Sequence, residues 1–166
     1  MAVRPIVTIA HLKLGSRCAE IDQIDDAALA LASDMVDTMR ASPACVGIAA
    51  PQIGVYLRAF VIDCSSHRRS TVSHGEFVLF NPVVVSLGTI AVEREGCMSV
   101  PDLTGDVGRS LEIVVEGLDL SGSKIMIESS GFEARAIQHE IDHLDGLLFL
   151  DRLSGPSALH RRKVYR

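Results

Sequence analysis

"ARAIQHEIDHLDG", residues Ala134 to Gly146, carries two histidines four positions apart, with a glutamate directly after the first. On an α-helix residues four apart share a face, so His139 and His143 aim two imidazoles at one point. Glu140 lies about 100° further round the helix than His139. That puts a carboxylate beside a cation held by the histidines without committing it as a ligand, which suits a base acting on water. Ile137, Ile141 and Leu144 add an apolar stripe beside the pair, so one side of the helix faces a core. Gly131 precedes the run, and Gly146 supplies its C-terminal stop. Read alone, the motif also fits a charged surface helix with incidental histidines.

A catalytic metal site needs three protein ligands and an open position. Downstream of the motif the choices are poor. The pattern HExxHxxGxxH runs through Gly146 but ends on Phe149, which cannot ligate, and no glutamate follows Glu140. Asp145, Asp151 and His160 stand at no recognised spacing. The third ligand is therefore expected upstream, and "EREGCMSVP" (Glu93 to Pro101) offers Cys97, whose thiolate binds Zn²⁺ or Fe²⁺ strongly. The other cysteines, Cys18, Cys45 and Cys64, form no CxxC pair and read as thiols in a reducing compartment.

The chain has 166 residues, which fits one domain spanning 1–166, and its composition is 48% apolar but only 4% aromatic, so an aliphatic core is expected. A net charge of −5 argues against direct DNA binding. No apolar run approaches the ~18 residues of a membrane span. The opening "MAVRPIVTIAHLKLGSR" lacks a secretory apolar core, so a cytoplasmic protein is expected. Ile24, Ala28, Leu31, Met35 and Met39 mark one face of an early helix, with Asp25, Asp26, Asp34 and Asp37 directed largely to solvent. "YLRAFVID" reads as a strand, and "SSHRRSTVSHG" as a solvated loop. "EFVLFNPVVVSLG" reads as a strand on each side of an Asn81-Pro82 break. "TIAVEREGCMSVP" is extended, and "SLEIVVEGLDLSGSKIMIES" is a hairpin about Gly122. The order predicts an α+β fold: antiparallel or mixed sheets around a late central helix carrying HExxH, plus an N-terminal helix.

Three segments in this order, "GIAAPQ" (Gly47 to Gln52), "EGCMS" (Glu95 to Ser99) and "QHEIDHLDG" (Gln138 to Gly146), resemble the peptide deformylase family. The resemblance implies that Cys97, His139 and His143 bind one divalent metal with water as fourth ligand. It implies Fe²⁺ in vivo, with Ni²⁺ or Zn²⁺ possible as isolated. The implied reaction removes the formyl group from N-formylmethionyl nascent peptides and releases formate, with Glu140 as general acid and base. Gln52 and the backbone N–H of Met98 are the implied donors to the formyl oxygen. Val46, Gly47, Phe132 and Ala136 match the positions of the methionine pocket, with Glu93 near the same wall.

Among the nearest charges, Arg109 is expected to pair with Glu95, Asp142 or both, clamping the cysteine segment to the helix. Departures from the family pattern are Cys45 for the commoner Gly, Met98 for Leu, and Thr104 near a place where some members carry an arginine that meets the peptide. Arg161, Arg162, Lys163 and Arg166 form a basic tail, which in some relatives contacts the ribosome. A zinc metalloprotease and a non-catalytic peptide binder with a structural metal are the competing readings. The first lacks a downstream ligand, and the second leaves Glu140 and Gln52 without a purpose.

Overall fold

The apolar period of the early segment folds as α1, Asp26–Ala41, in the computed structural model, which describes residues 2–162. The Asp25 side chain accepts from Ala28 N and caps its start, a bond worth about 1 kcal/mol. Leu31, Met35 and Met39 are buried as the stripe requires. Asp34 departs from expectation. It is buried, accepting from the Arg4 guanidinium at 2.8 Å and from Ala2 N at 2.8 Å, and so it ties the N-terminal segment to the helix.

Seven strands follow: β1 Gly47–Ala49, β2 Ala59–Ile62, β3 Phe77–Leu87, β4 Ile90–Cys97, β5 Val100–Ser110, β6 Glu112–Leu118 and β7 Lys124–Ser130. Helix α2, Gly131–Leu144, and strand β8, Leu159–Arg161, complete the described α-helices and strands. One sheet runs in the order β1-β2-β3-β6-β7 and the other in the order β4-β5-β8. Every pairing between these strands is antiparallel; among the described residues the one parallel contact is an isolated bridge between Ala19 and Leu57, so the mixed alternative is not taken up. Among the described residues no helix is long and apolar enough to cross a membrane.

The period of two along a strand explains how the larger sheet is covered on both faces. On β2, Ala59 and Val61 pack against Leu31, Met35 and Met39 of α1. Phe60 and Ile62 point the other way, onto Ala134, Ile137, Ile141 and Leu144 of α2. The opposite side of α2 meets β4 and β5 through charged contacts, so the helix lies between the two sheets.

Two details differ from the reading of the sequence. Residues 77–87 are one strand, not two, with register shifts between Phe80 and Val83 and between Val84 and Ser86. Asn81 takes φ 49°, and its side chain bonds both Ile21 N and Ile21 O, so a bulge absorbs Pro82's missing N–H without ending the strand. The polar loop 65–75 is also less solvated than expected: His67 stacks on Phe132 with ring centroids 3.8 Å apart, and His74 meets the buried Glu133 at 2.7 Å.

The end of α2 is fixed from several directions, which matters because His143 stands one residue before its last. Arg58, buried just before β2, donates to Leu144 O and to Asp145 Oδ1 at 2.6 Å, placing positive charge at the helix C-terminus. Cys18 N donates to Leu144 O at 2.8 Å. Gly146 takes φ +76°, and a Cβ there would lie 2.7 Å from the Gly15 backbone, so only glycine closes this turn.

Candidate metal centre

Helix α2 presents His139 and His143 on one face, and the hairpin turn between β4 and β5 delivers Cys97 to the same point. One ligand atom from each of the three lies within 4.8 Å of the others. Cys97 Sγ is 3.2 Å from His143 Nε2. His139 spends Nδ1 on Glu95 Oε2 at 3.1 Å, which leaves its Nε2 for the cluster. A sulfur and two imidazole nitrogens form a donor set that suits Zn²⁺ and Fe²⁺. Cys97 and His143 are buried, and His139 is half-buried.

Electrostatics favour a charged sulfur. Burial alone would raise the Cys97 thiol, but the charge of His143 and hydrogen bonds from His139 and His143 outweigh it and hold the group well below its ordinary range. Burial would lower His139, yet its bonds to Cys97 and Glu95 carry it well above the usual value. These surroundings favour the thiolate, the form in which cysteine ligates a metal. Burial instead pushes Cys45 up to about 12 and Cys64 up to about 12, so these thiols stay neutral.

Glu140 lies beside the cluster, buried, and its Oε2 has no hydrogen-bond partner among the described residues. Burial raises its pKa, with His139 and His143 opposing. An unpartnered carboxylate oxygen beside three converging ligands is the mark of a site that takes a further group. These residues fit a bound divalent cation.

Gln52 is presented by a 3-10 turn over Ala50–Ile53. Its Oε1 accepts from Ala49 N at 3.0 Å, so its Nε2 is the end aimed at the cluster, 3.4 Å from Cys97 Sγ and 3.2 Å from Ser99 Oγ. Met98 follows Cys97 in the β4–β5 turn. The N-terminal segment straps both pieces, since Val7 N donates to Gln52 O at 2.8 Å and Ile9 N to Ser99 O at 2.9 Å.

Behind the cluster lies a charge network. Arg109 donates from Nε to Glu95 Oε1 at 2.7 Å and from Nη1 to Asp142 Oδ2 at 2.8 Å, so it bridges β4 and α2 from β5. Arg135 adds a bond to Glu95 at 2.9 Å, and Arg152 one to Asp142 at 2.9 Å. Burial would raise Glu95, but the His139 bond and the charge of Arg109 bring it down to about 2. The Glu95 carboxylate is thereby kept ionised and fixes the orientation of the His139 ring.

In front of the cluster opens a cavity of about 370 Å³, lined in part by Val46, Gly47, Phe132, Ala136, His139 and Glu140. Glu93 is not among its lining residues; its carboxylate pairs with Arg69, which is.

The sequence profile described as polypeptide deformylase matches residues 3–158. The chain belongs to this family. A peptide deformylase of Thermomicrobium roseum is 41% identical over 160 residues, 96% of this chain and 90% of its own length. One of Desulforudis audaxviator is 41% identical over 164 residues, 98% of this chain and 99% of its own length. Among solved structures, a peptide deformylase from Legionella pneumophila superposes with TM-score 0.84 at 37% identity, over 92% of this chain and 87% of its own. A Met-ala-ser bound deformylase from Acinetobacter baumannii does so with TM-score 0.84 at 30% identity, over 92% of this chain and 100% of its own. The chain is thus an enzyme of the deformylase family, built on the α+β scaffold of those structures.

Against that family background, the residues missed by sequence reading are His67, Arg69, Arg135 and Arg162, all of which line the cavity. Arg135 had a usable signal, because it stands four residues before His139 and so shares its helix face. His67 and Arg69 had none: they reach Phe132 across a loop, with the Arg69 guanidinium carbon 5.2 Å from that ring's centroid. Of the basic tail, Lys163 and Arg166 lie outside the described residues.

Proposed function

We propose that the chain hydrolyses the formamide of N-formylmethionyl peptides, with Cys97, His139 and His143 as the metal ligands. The reading rests above all on one convergence: three metal-type ligands, an unpartnered buried carboxylate and a fixed side-chain amide meet at the end of one cavity. The Met-ala-ser peptide bound by the Acinetobacter relative has the chemistry of the product of this reaction, a methionyl peptide without its formyl group. A divalent cation held by this set, Fe²⁺ in the cell with Zn²⁺ or Ni²⁺ as substitutes, supplies Lewis acidity and makes water nucleophilic at neutral pH.

This chain's own residues do the rest. The methionyl side chain enters the wall made by Val46, Gly47, Phe132 and Ala136. As water adds to the formyl carbon, negative charge develops on the formyl oxygen. The Gln52 Nε2–H and the Met98 N–H are the donors assigned to that charge, and neither changes the protonation balance of the site. Glu140 takes the proton from the attacking water. It then passes the proton to the amine nitrogen as the C–N bond breaks, giving formate and a free amino terminus. Glu95 and Asp142, held by Arg109, keep the ligand histidines and the cysteine turn in register.

Formate release from formyl-Met-Ala is the direct test. Activity is expected to vanish on chelation and to return when Fe²⁺ or Ni²⁺ is added without air. No formate with any of the three metals would overturn the proposal, and cleavage of an internal peptide bond instead would favour the metalloprotease reading.

Gly47 supplies a second check. A Cβ at this position would lie 2.7 Å from Glu140 Oε1, so alanine evicts the end of a flexible side chain and not backbone. The variant Gly47→Ala is expected to fold, at a cost of about 1–3 kcal/mol for overpacking. Its kcat is expected to fall about 10²-fold because the carboxylate is displaced. A kcat close to wild type in the folded variant would show that Glu140 does not need this position.

A further inference from the structure

Among the described residues four arginines line the cavity, and three of them are already engaged with carboxylates. Arg69 pairs with Glu93. Arg94 is held by Asp106 at 2.6 Å and by Thr104. Arg135 is spent on Ala91 O at 2.8 Å, Val107 O at 2.9 Å and Glu95 at 2.9 Å. Arg162 is different. Its side chain makes one hydrogen bond, from Nη2 to Cys97 O at 3.1 Å, and meets no carboxylate among the described residues. A guanidinium carries five N–H donors in one plane, so most of this exposed side chain's donors stand open at the cavity rim.

Its placement is built into the fold. Strand β8 pairs with β5, matching Leu103 to Arg161 and Thr104 to His160. Arg162 N then donates to Asp102 O at 2.8 Å, which fixes where the side chain leaves the sheet. Gly96 makes the room: a Cβ on it would stand 2.5 Å from Arg162 Nη2. The guanidinium therefore lies over the residue next to the ligand cysteine, on the cavity side of β4.

We infer that Arg162 is a substrate-binding residue that donates to a main-chain carbonyl of the peptide beyond its formyl-methionyl residue. The inference rests on the deformylase reading and assigns a partner to the part of the substrate that reading leaves without one. An extended peptide advances about 3.3–3.6 Å per residue. With the formyl carbon at the Cys97–His139–His143 cluster, the groups that pass along the cavity wall belong to the residues after methionine. Side chains there vary from one nascent chain to the next, but the carbonyl does not. A charged donor aimed at it holds any sequence.

The test compares two amide-ended substrates, formyl-Met amide and formyl-Met-Ala-Ala amide, on the metal-loaded full chain. In the wild type the longer substrate reaches Arg162 and the shorter does not. The ratio of their kcat/KM values is expected to fall about tenfold in Arg162→Ala, the size of one hydrogen bond to a charged group. Arg162→Lys is expected to recover part of it, since an ammonium donates without the fork. An unchanged ratio overturns the inference in either form: both substrates slowed together, with metal lost, would mark Arg162 as a pin for the Cys97 turn, and neither slowed would mark it as idle. A wild type that releases formate from neither substrate overturns the deformylase reading itself, and this inference with it.

Discussion

Replacing Glu140 by Gln is expected to lower kcat for deformylation by about 10²–10⁴-fold while metal content stays at the wild-type level. The substitution keeps the volume and the hydrogen-bonding reach of the side chain and removes only its capacity to take a proton. Metal should be retained because the three ligand atoms that converge come from Cys97, His139 and His143, with Glu140 outside the set. Folding should not suffer. Glu140 Oε2 has no hydrogen-bond partner among the described residues, and burial of the charge is itself costly, so a neutral amide relieves a penalty. Stability at or above wild type together with a collapsed kcat separates a proton carrier from a structural carboxylate. A glutamine variant with kcat within about threefold of wild type would remove Glu140 from the mechanism, since a general base is worth far more than that. A variant that lost its metal would instead make Glu140 a ligand.

How much of this was legible in advance depends on how local each signal is. The two histidines and their helix could be read because the i, i+4 relation is a property of one short segment, as were the stop at Gly146 and the hairpin about Gly122. Elimination among the downstream residues points upstream, but the choice of Cys97 rests on the family resemblance of "EGCMS", because nothing in its spacing says that the β4–β5 turn folds back onto α2. What could not be read is whatever depends on a partner far along the chain. Asp34 looks like one more solvent-facing carboxylate until Arg4 and Ala2 N arrive from the N-terminal segment. The Asn81-Pro82 pair looks like a break until the Asn81 side chain is seen bonding Ile21, 60 residues away. His67 and Arg69 sit in a polar run whose composition says loop, and only packing reveals that the loop lies on Phe132. Arg162 reads as part of a basic tail, and the pairing of β8 with β5 lays it, still exposed, along the cavity rim.

Removing the Arg109 side chain is expected to give the largest loss of stability, about 3–5 kcal/mol for Arg109→Ala, with metal affinity lowered about 10–100-fold. Both effects have one cause. The Arg109 side chain is only 3% exposed, and the carboxylates it joins, Glu95 and Asp142, are 11% and 7% exposed. Without it, two shielded negative charges face each other beside a thiolate, and each has lost its deepest counter-charge. Arg135 still reaches Glu95 and Arg152 still reaches Asp142, which argues for the lower half of the range. Both remaining arginines come from outside β5, so what is lost besides charge is the tie between that strand, the cysteine-bearing β4 and the histidine-bearing α2. Lysine is not expected to substitute. Arg109 uses Nε for one carboxylate and Nη1 for the other, and a single ammonium at the end of a flexible stem does not reproduce that fork. Denaturant unfolding of the metal-free protein reads the first effect, and competition with a chelator reads the second. If Arg109→Ala unfolded at the wild-type midpoint and held its metal as tightly, the ligands would be oriented by backbone and packing alone, and the charge network behind them would be incidental.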